Sequence, residues 1–276
     1  MSRIVAAETG KGRLGFGSLF AMATSDRLTS SKPSTTRLGA YAVLASASVI
    51  GCVSLLAFFL LFLGVGSLHL VNLELAETAK LVWNAFLCVA FFVQHSGMIR
   101  RSYRRWSARF IPSHFHGASY TIASGVVLLV LVVFWQESAD TLASCQGIVR
   151  WLVRSVYLLS ITGFVWGILA LGSFDTFGLR PILNHLRGID SPPVPFTVRG
   201  PYRWVRHPLY LFCLLMIWSF PDLTADRLLF NAMWTAWIIV GTMLEERDLV
   251  AAFGEAYRDY QSKVPMLIPY RLRLMQ

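Results

Sequence analysis

A stretch from Ala40 to Gly66 carries no charged residue and consists mostly of apolar side chains. Such a run is long enough to cross the hydrocarbon core of a bilayer, which takes roughly 20 residues of helix. Charged residues make up 14% of the 276 positions, whereas about 25% is usual in soluble domains. Because too few charges remain to cover a water-facing surface, the sequence predicts an integral membrane protein.

Further apolar runs predict an all-α, polytopic fold with about six transmembrane segments. After the first run they cover about Leu81 to Met98, Ala118 to Trp135, Leu152 to Gly172, Leu209 to Phe220 and Leu228 to Leu244. Pro221 and Asp222 interrupt the chain between the last two runs. A short helix, a proline-containing turn and a second helix predict a transmembrane hairpin. A cytoplasmic helix is expected near the C-terminus.

These segments divide the chain into three parts. Residues 1–38 are rich in Ser, Thr and Gly with interspersed basic residues, and are predicted to form a disordered cytoplasmic tail. An organellar transit peptide is an alternative for this part. Residues 39–172 would form four transmembrane helices. Residues 173–276 would form a cytoplasmic loop, the hairpin and a C-terminal segment that together hold the cofactor site.

Arginine placement predicts the orientation in the membrane. The loops after the second and fourth runs contain Arg100, Arg101, Arg104, Arg105, Arg109, Arg180, Arg187, Arg199, Arg203 and Arg206. Lys and Arg concentrate in cytoplasmic loops, so both termini are expected in the cytoplasm, in a multi-pass protein of a bacterial inner membrane. This placement also accounts for the net charge of +10, and no nucleic-acid partner is predicted. Tyr120 and Trp135 are expected in the aromatic belt at the membrane surface.

The hairpin would bring opposite charges together on the cytoplasmic side. Arg203, Arg206 and His207 precede the fifth segment, while Glu245 and Glu246 end the sixth. Taken singly, these residues have ordinary explanations, as interface anchors or solvated carboxylates. Taken together, they predict a site for one small zwitterionic ligand.

Two motifs carry a family resemblance. The string from Arg206 to Tyr210, followed by Glu245 and Glu246, resembles the signature of the isoprenylcysteine carboxyl methyltransferase and phospholipid methyltransferase superfamily. The segments 218–224, 244–249 and 264–269, with Gln94-His95-Ser96 upstream, resemble bacterial methanethiol S-methyltransferases and their NnrU-like relatives. The narrower resemblance runs from about His95 to Pro269 and implies conversion of methanethiol to dimethyl sulfide.

The resemblance implies S-adenosylmethionine as methyl donor and a set of site residues. The implied cofactor-binding residues are Tyr202, Arg203, His207, Pro208, Tyr210, Glu245, Glu246 and Tyr257. The implied catalytic residues are Arg206, His207 and His95. A thiolate is the competent sulfur nucleophile, so local positive charge or a base is needed, and no metal is. The partners would be a small thiol and the lipid bilayer, with no obligate protein partner.

Two alternatives stay open at this point. A prenylcysteine carboxylate or a lipid amine could be the methyl acceptor, in place of a small thiol. The chain could instead be a non-catalytic NnrU-like membrane protein of nitrogen-oxide metabolism, with His95 and His207 as haem ligands. The four scattered cysteines, Cys52, Cys88, Cys145 and Cys213, form no C-x-x-C spacing and predict neither a disulfide framework nor a zinc site.

Overall fold

A computed structural model describes residues 37–63, 71–172, 175–189 and 196–270, so the predicted tail lies almost wholly outside the described residues. The helices are α1 (Arg37–Leu63), α2 (Glu77–Ile99), α3 (Arg101–Ser107), α4 (His116–Phe134), α5 (Gly147–Ala170), α6 (Arg180–Arg187), α7 (Pro208–Trp218), α8 (Ala225–Phe253) and α9 (Glu255–Lys263). Two short strands, β1 (Thr141–Ser144) and β2 (Asp222–Thr224), and two 3-10 turns (Ser113–Phe115 and Gly200–Arg203) complete the described elements.

The helices form a polytopic membrane protein, which confirms the predicted fold class. Among the described residues, α1, α2, α4, α5 and α8 are long and apolar enough to cross a bilayer. The fifth predicted segment is α7, an apolar helix of 11 residues. At 1.5 Å per residue α7 is only about 16 Å long, roughly half the thickness of the hydrocarbon core. The chain therefore passes between the two ends of the bundle with a short helix followed by extended residues.

The two strands join loops at the end of the bundle opposite the arginine-rich loops. β1 and β2 pair antiparallel, with Ser144 opposite Asp222. Arg150 at the start of α5 forms an ion pair with Asp222, with Nη2 2.6 Å from Oδ2. The hydrogen bond from Arg150 holds the pKa of Asp222 below its ordinary value. This small sheet links the α4–α5 connection to the turn of the α7–α8 hairpin.

The prediction that Glu245 and Glu246 end the last helix was wrong, because α8 continues to Phe253. Apolar residues beyond the two glutamates, Leu249, Val250 and Phe253, pack against Tyr257 and Tyr260 of α9. This apolar stripe keeps the chain helical although charged residues are interspersed. Glu245 and Glu246 consequently lie about two turns before the end of α8, covered by α9, and not at an open helix terminus.

Trp135 also differs from its prediction as a belt residue, because its side chain is buried among the helices. Its side chain is 1% exposed, and its Nε1 donates a hydrogen bond of 2.9 Å to Asp226 Oδ2. Asp226, in the first turn of α8, is fully buried and needs donors, since an unpaired buried carboxylate is costly. The side chain of Trp135 therefore points into the bundle, where it is one of the hydrogen-bond donors to Asp226.

Small residues allow α7 to pack closely on α5. Gly163 and Gly167 form a G-x-x-x-G spacing that lets helix backbones approach in membranes. A Cβ atom would come within 2.3 Å of the Phe212 ring at Gly163, and within 2.6 Å of Leu209 at Gly167. This contact places the first turns of α7, and thus the residues just before it, against α5.

The two arginine-rich loops meet at another pair of glycines. A Cβ atom on Gly117, in the first turn of α4, would lie 2.8 Å from the Cα atom of Gly178, which precedes α6. Gly178 itself has a φ of +66°, in the left-handed region where glycine is favoured. Both residues must be small for the loops to approach this closely.

We expect Gly117→Ala to destabilise the protein by about 1–3 kcal/mol, the usual cost of overpacking, because the obstructing atoms belong to the backbone. The melting temperature in detergent measures this. Gly97→Ala is the matched control, since that glycine is also helical and a Cβ atom there would meet nothing within 4 Å. Equal melting temperatures for the two variants would show that the close approach is not required.

Candidate functional site

The site is built around the carboxylate of Glu246, which is buried on α8. Oε1 accepts hydrogen bonds from Arg206 Nε at 2.8 Å, His207 Nε2 at 2.6 Å and the Tyr257 hydroxyl at 2.8 Å. Oε2 accepts from Arg206 Nη2 at 2.9 Å and from the side-chain amide of Gln261. The Glu246 carboxylate thus accepts five hydrogen bonds, from residues just before α7 and from α9. Such charge-assisted contacts are the strong ones among protein hydrogen bonds.

The Arg206 side chain is committed to the same cluster. Besides its two bonds to Glu246, Nη1 donates to the backbone carbonyls of Gln261 and Val264. The backbone N–H groups of Arg206 and His207 donate to the carbonyls of Pro265 and Met266, at 2.9 and 3.1 Å. The ion pair of Arg206 and Glu246 therefore ties the start of α7 to α8 and to the segment that follows α9. We call these two residues the Arg206–Glu246 pair.

Aromatic residues shield this pair from water. Tyr257 and Tyr260 are buried and pack with Phe196 at ring-centroid distances of 5.9 and 5.6 Å. Burial, and after it the Glu246 carboxylate, raises the pKa of Tyr257, so its hydroxyl stays protonated and donates to Glu246. The Tyr260 hydroxyl donates to the backbone carbonyl of Tyr202 at 2.5 Å, which fixes the 3-10 turn next to the site.

Glu245 has different surroundings from Glu246. Its side chain is 20% exposed and hydrogen-bonded to the Tyr210 side chain, and Oε2 lies 3.6 Å from His207 Nδ1. The His207 and Tyr210 rings stack, with centroids 5.7 Å apart and an angle of 18°. An ionised carboxylate only accepts hydrogen bonds, so His207 Nε2 carries the proton that is donated to Glu246. Of the two neighbouring glutamates, Glu245 is thus the one whose carboxylate is partly exposed.

His95 lies apart from this cluster. Its ring nitrogens contact the Tyr120 hydroxyl, the nearer at 2.7 Å, and its ring packs against Phe91 and Trp237. Tyr120, predicted as a belt residue, is part of an internal contact between α2 and α4.

The structure brings most of the predicted site residues together. Arg206, His207, Glu246 and Tyr257 share one hydrogen-bond network, and Glu245 and Tyr210 adjoin it. Pro208 is buried at the first position of α7, the position that favours proline, and Tyr202 is held through its carbonyl. Arg203 is exposed, and no described hydrogen bond or ion pair joins it to either glutamate.

Sequence reasoning missed Gln261 as a member of the site. The signal that could have found it is its spacing, because Gln261 lies four residues after Tyr257 in α9 and so on the same helix face. Within the described ranges, no group of three His, Cys, Asp or Glu side chains is positioned to hold a metal ion.

Known proteins resemble this chain closely enough to place it in a family. A methanethiol S-methyltransferase of a Pseudomonas species is 38% identical over 197 residues, which are 68% of this chain and 73% of that protein. The methanethiol S-methyltransferase of Mycobacterium tuberculosis is 35% identical over 68% of this chain and 78% of its own length. Rat nurim is 23% identical over 62% of this chain and 68% of its own length.

No family model matches the chain, and no solved structure does. The family assignment therefore rests on the curated relatives, whose identity and coverage are high enough to establish it. The chain belongs to the methanethiol S-methyltransferase family.

Proposed function

We propose that this membrane protein transfers a methyl group from S-adenosylmethionine to a small thiol, converting methanethiol to dimethyl sulfide. The observation that carries the proposal is the set of relatives named methanethiol S-methyltransferase, with 34–38% identity over about 70% of the chain. The meeting of α7 and α8 at a cluster of carboxylate, imidazole and phenol groups supports it independently.

The residues present fit S-adenosylmethionine. Glu245 offers a partly buried carboxylate with an open side, which suits the α-ammonium group of the donor. Tyr210, next to it, offers an aromatic face of the kind that attracts cations, here the sulfonium. Arg203, exposed beside the 3-10 turn, is the proposed partner of the α-carboxylate. When bound, the donor supplies an electrophilic methyl group and leaves as S-adenosylhomocysteine.

The other predicted residues take positioning roles in this proposal. Arg206 and Glu246 use their hydrogen-bonding groups on each other and on α9 and the segment after it, so they hold the site together. His207 is oriented by Glu246 through Nε2, and its Nδ1 edge faces Glu245. His207 thereby positions the Glu245 side chain, which would bind the ammonium group. Tyr257 and Gln261 complete the set that keeps Glu246 in place.

We propose that the site faces the cytoplasm, where the methyl donor would be available. The arginine-rich loops around α3 and α6 lie at the same end of the bundle as this site, which supports that orientation through the positive-inside rule.

The test is formation of dimethyl sulfide by the purified protein in detergent or vesicles. We expect headspace gas chromatography to detect dimethyl sulfide when methanethiol and S-adenosylmethionine are both supplied, and only background levels when either is omitted. A prenylcysteine analogue, assayed beside methanethiol, serves as the competing acceptor. Methylation of the prenylcysteine analogue, with no dimethyl sulfide formed, would replace this proposal by the prenylcysteine alternative.

A further inference from the structure

A cleft lies at the end of the bundle opposite the arginine-rich loops, between the first turns of α5 and the turn that follows α7. Its volume is about 240 Å³, far more than the roughly 10–15 Å³ that hold one water molecule. It is a little smaller than sites that enclose a whole small molecule, about 300–1,000 Å³. The cleft therefore has room for one polar group of several atoms. Its lining includes Trp151, Arg154, Ser155, Leu158, Ser219 and Pro221.

The shortness of α7 creates this cleft. α7 packs closely on α5 at Gly163 and ends at Trp218, after which the chain turns into β2. The first turns of α5 therefore lie against extended residues and not against a helix. Trp151, Ser155 and Leu158 on this part of α5 are exposed, and their spacing of four and three residues puts them on one helix face. Because α5 is a membrane-spanning helix, the cleft opens toward lipid.

Arg154 brings a positive charge into the wall of the cleft. It lies about 10 Å along α5 from Gly147, the first residue of that helix. An ionisable residue inside a membrane-spanning helix is costly and marks a binding site by default. A side chain as long as arginine can reach from this depth to the level of the lipid headgroups.

A neutral ion pair borders the cleft beside Arg154. Arg150 donates through Nη1 and Nη2 to the two carboxylate oxygens of Asp222, at 2.8 and 2.6 Å. Asp222 directly follows Pro221, which lines the cleft. The two arginines and the one carboxylate together leave one net positive charge, which one phosphodiester anion would balance.

We propose that this cleft binds the phosphate group of a phospholipid, whose acyl chains lie along the exposed apolar face of α5. A guanidinium matches phosphate oxygens with two parallel N–H donors, which is the role of Arg154. Tryptophan is enriched at the level of the headgroups, as Trp151 at the cleft would be. Leu158 lies about 6 Å further along α5 than Arg154, in position to contact the start of an acyl chain. The inference does not depend on the proposed function.

The surroundings of the cleft favour a lipid over a free phosphate ion. Leu158 and Leu159 are both exposed on α5, so apolar surface continues from the cleft toward the middle of the bilayer. A lipid covers that surface while its phosphate meets Arg154. A free anion would meet the same charge but would leave the apolar surface uncovered.

Native mass spectrometry of the full-length protein in a nonionic detergent tests the proposal. Phosphatidylglycerol is the probe, because its phosphate is its only charged group. We expect Arg154→Met to weaken binding of the most tightly held phosphatidylglycerol at least 10-fold, the usual scale for losing one charge-assisted contact. The control is Arg105→Met, which removes an exposed arginine of α3 at the opposite end of the bundle. We expect its dissociation constant for that lipid to stay at the wild-type value.

A second pair of variants keeps the proposal testable if Arg154→Met does not fold. Ser155 and Thr162 are both exposed on α5, and each hydroxyl donates to the carbonyl four residues earlier, at 2.9 and 3.0 Å. Ser155→Phe adds a ring at the cleft and should weaken phosphatidylglycerol binding as Arg154→Met does. Thr162→Phe adds the same ring about two turns away and should leave binding unchanged.

Two competitors identify which part of the lipid is recognised. Diacylglycerol has the acyl chains without the phosphate, and glycerol 3-phosphate has the phosphate without the chains. We expect neither to displace phosphatidylglycerol. Displacement by diacylglycerol would show that the phosphate is not recognised, and displacement by glycerol 3-phosphate would show a site for a free anion. Either result would overturn the proposal, as would wild-type lipid binding in both Arg154→Met and Ser155→Phe.

Discussion

Glu245→Gln is expected to weaken binding of S-adenosylmethionine about 30-fold or more while leaving the protein folded. The proposed contact between the Glu245 carboxylate and the donor's ammonium is a partly buried charge pair. Removing one member of such a pair costs about 2–5 kcal/mol, and 1.4 kcal/mol corresponds to tenfold in affinity. Glutamine is close in shape to glutamate and can still hydrogen-bond to Tyr210, so the local structure should persist. Calorimetric titration with the donor measures the effect.

The control for this prediction is Glu255→Gln, the same substitution on a side chain that is 88% exposed on α9. We expect this variant to bind the donor as the wild type does. If Glu245→Gln bound S-adenosylmethionine with unchanged affinity, Glu245 would not be the ammonium ligand.

Glu246→Ala is expected to have the largest effect on stability of any substitution in the site. It would leave the Arg206 guanidinium buried without its carboxylate, and breaking a buried ion pair by removing one partner costs about 3–5 kcal/mol. His207, Tyr257 and Gln261 would lose their acceptor at the same time. We expect a lower melting temperature in detergent and no detectable methyl transfer.

A double variant separates charge burial from catalysis. Replacing both members of the Arg206–Glu246 pair by Met removes the uncompensated charge, and apolar replacement of a whole buried pair is often neutral for stability. We therefore expect the double variant to melt well above Glu246→Ala, yet to remain inactive because His207 is no longer oriented. A double variant that melts no higher than Glu246→Ala would contradict the idea that the uncompensated Arg206 charge causes the loss of stability.

Hydropathy predicted the membrane-spanning helices well because their signal is local and strong. The hairpin of α7 and α8 was also predictable, since Pro221 and Asp222 interrupt two apolar runs. That topology alone placed the residues before α7 beside those late in α8. The proximity of Arg206 and Glu246, predicted as two sides of one ligand site, follows from this. In the structure the two side chains pair directly with each other, 2.8 Å apart.

What the sequence could not predict depends on distant or backbone partners. The acceptors of Arg206 Nη1 are backbone carbonyls after and within α9, which carry no signature in the sequence. The pairing of β1 with β2 joins residues 78 positions apart at Ser144 and Asp222, through strands too short to show alternation. The different surroundings of Glu245 and Glu246 depend on helix phase and on the packing of α9.

The role of Trp135 was missed for a similar reason. An aromatic residue at the end of an apolar run is typical of the membrane surface, and only the position of the buried Asp226 carboxylate draws it inward. Tyr120 likewise reads as a belt residue until His95 on the neighbouring helix is seen to contact it. In both cases the deciding partner lies on another helix.

The most direct test of the account is to supply purified protein with methanethiol and S-adenosylmethionine that carries a fully deuterated methyl group. Mass spectrometry of the headspace should show dimethyl sulfide with one deuterated methyl group, formed in step with S-adenosylhomocysteine. This result is predicted because the methyl group passes directly from the donor sulfur to the thiol. Consumption of the donor without deuterated dimethyl sulfide, or no reaction at all, would contradict it.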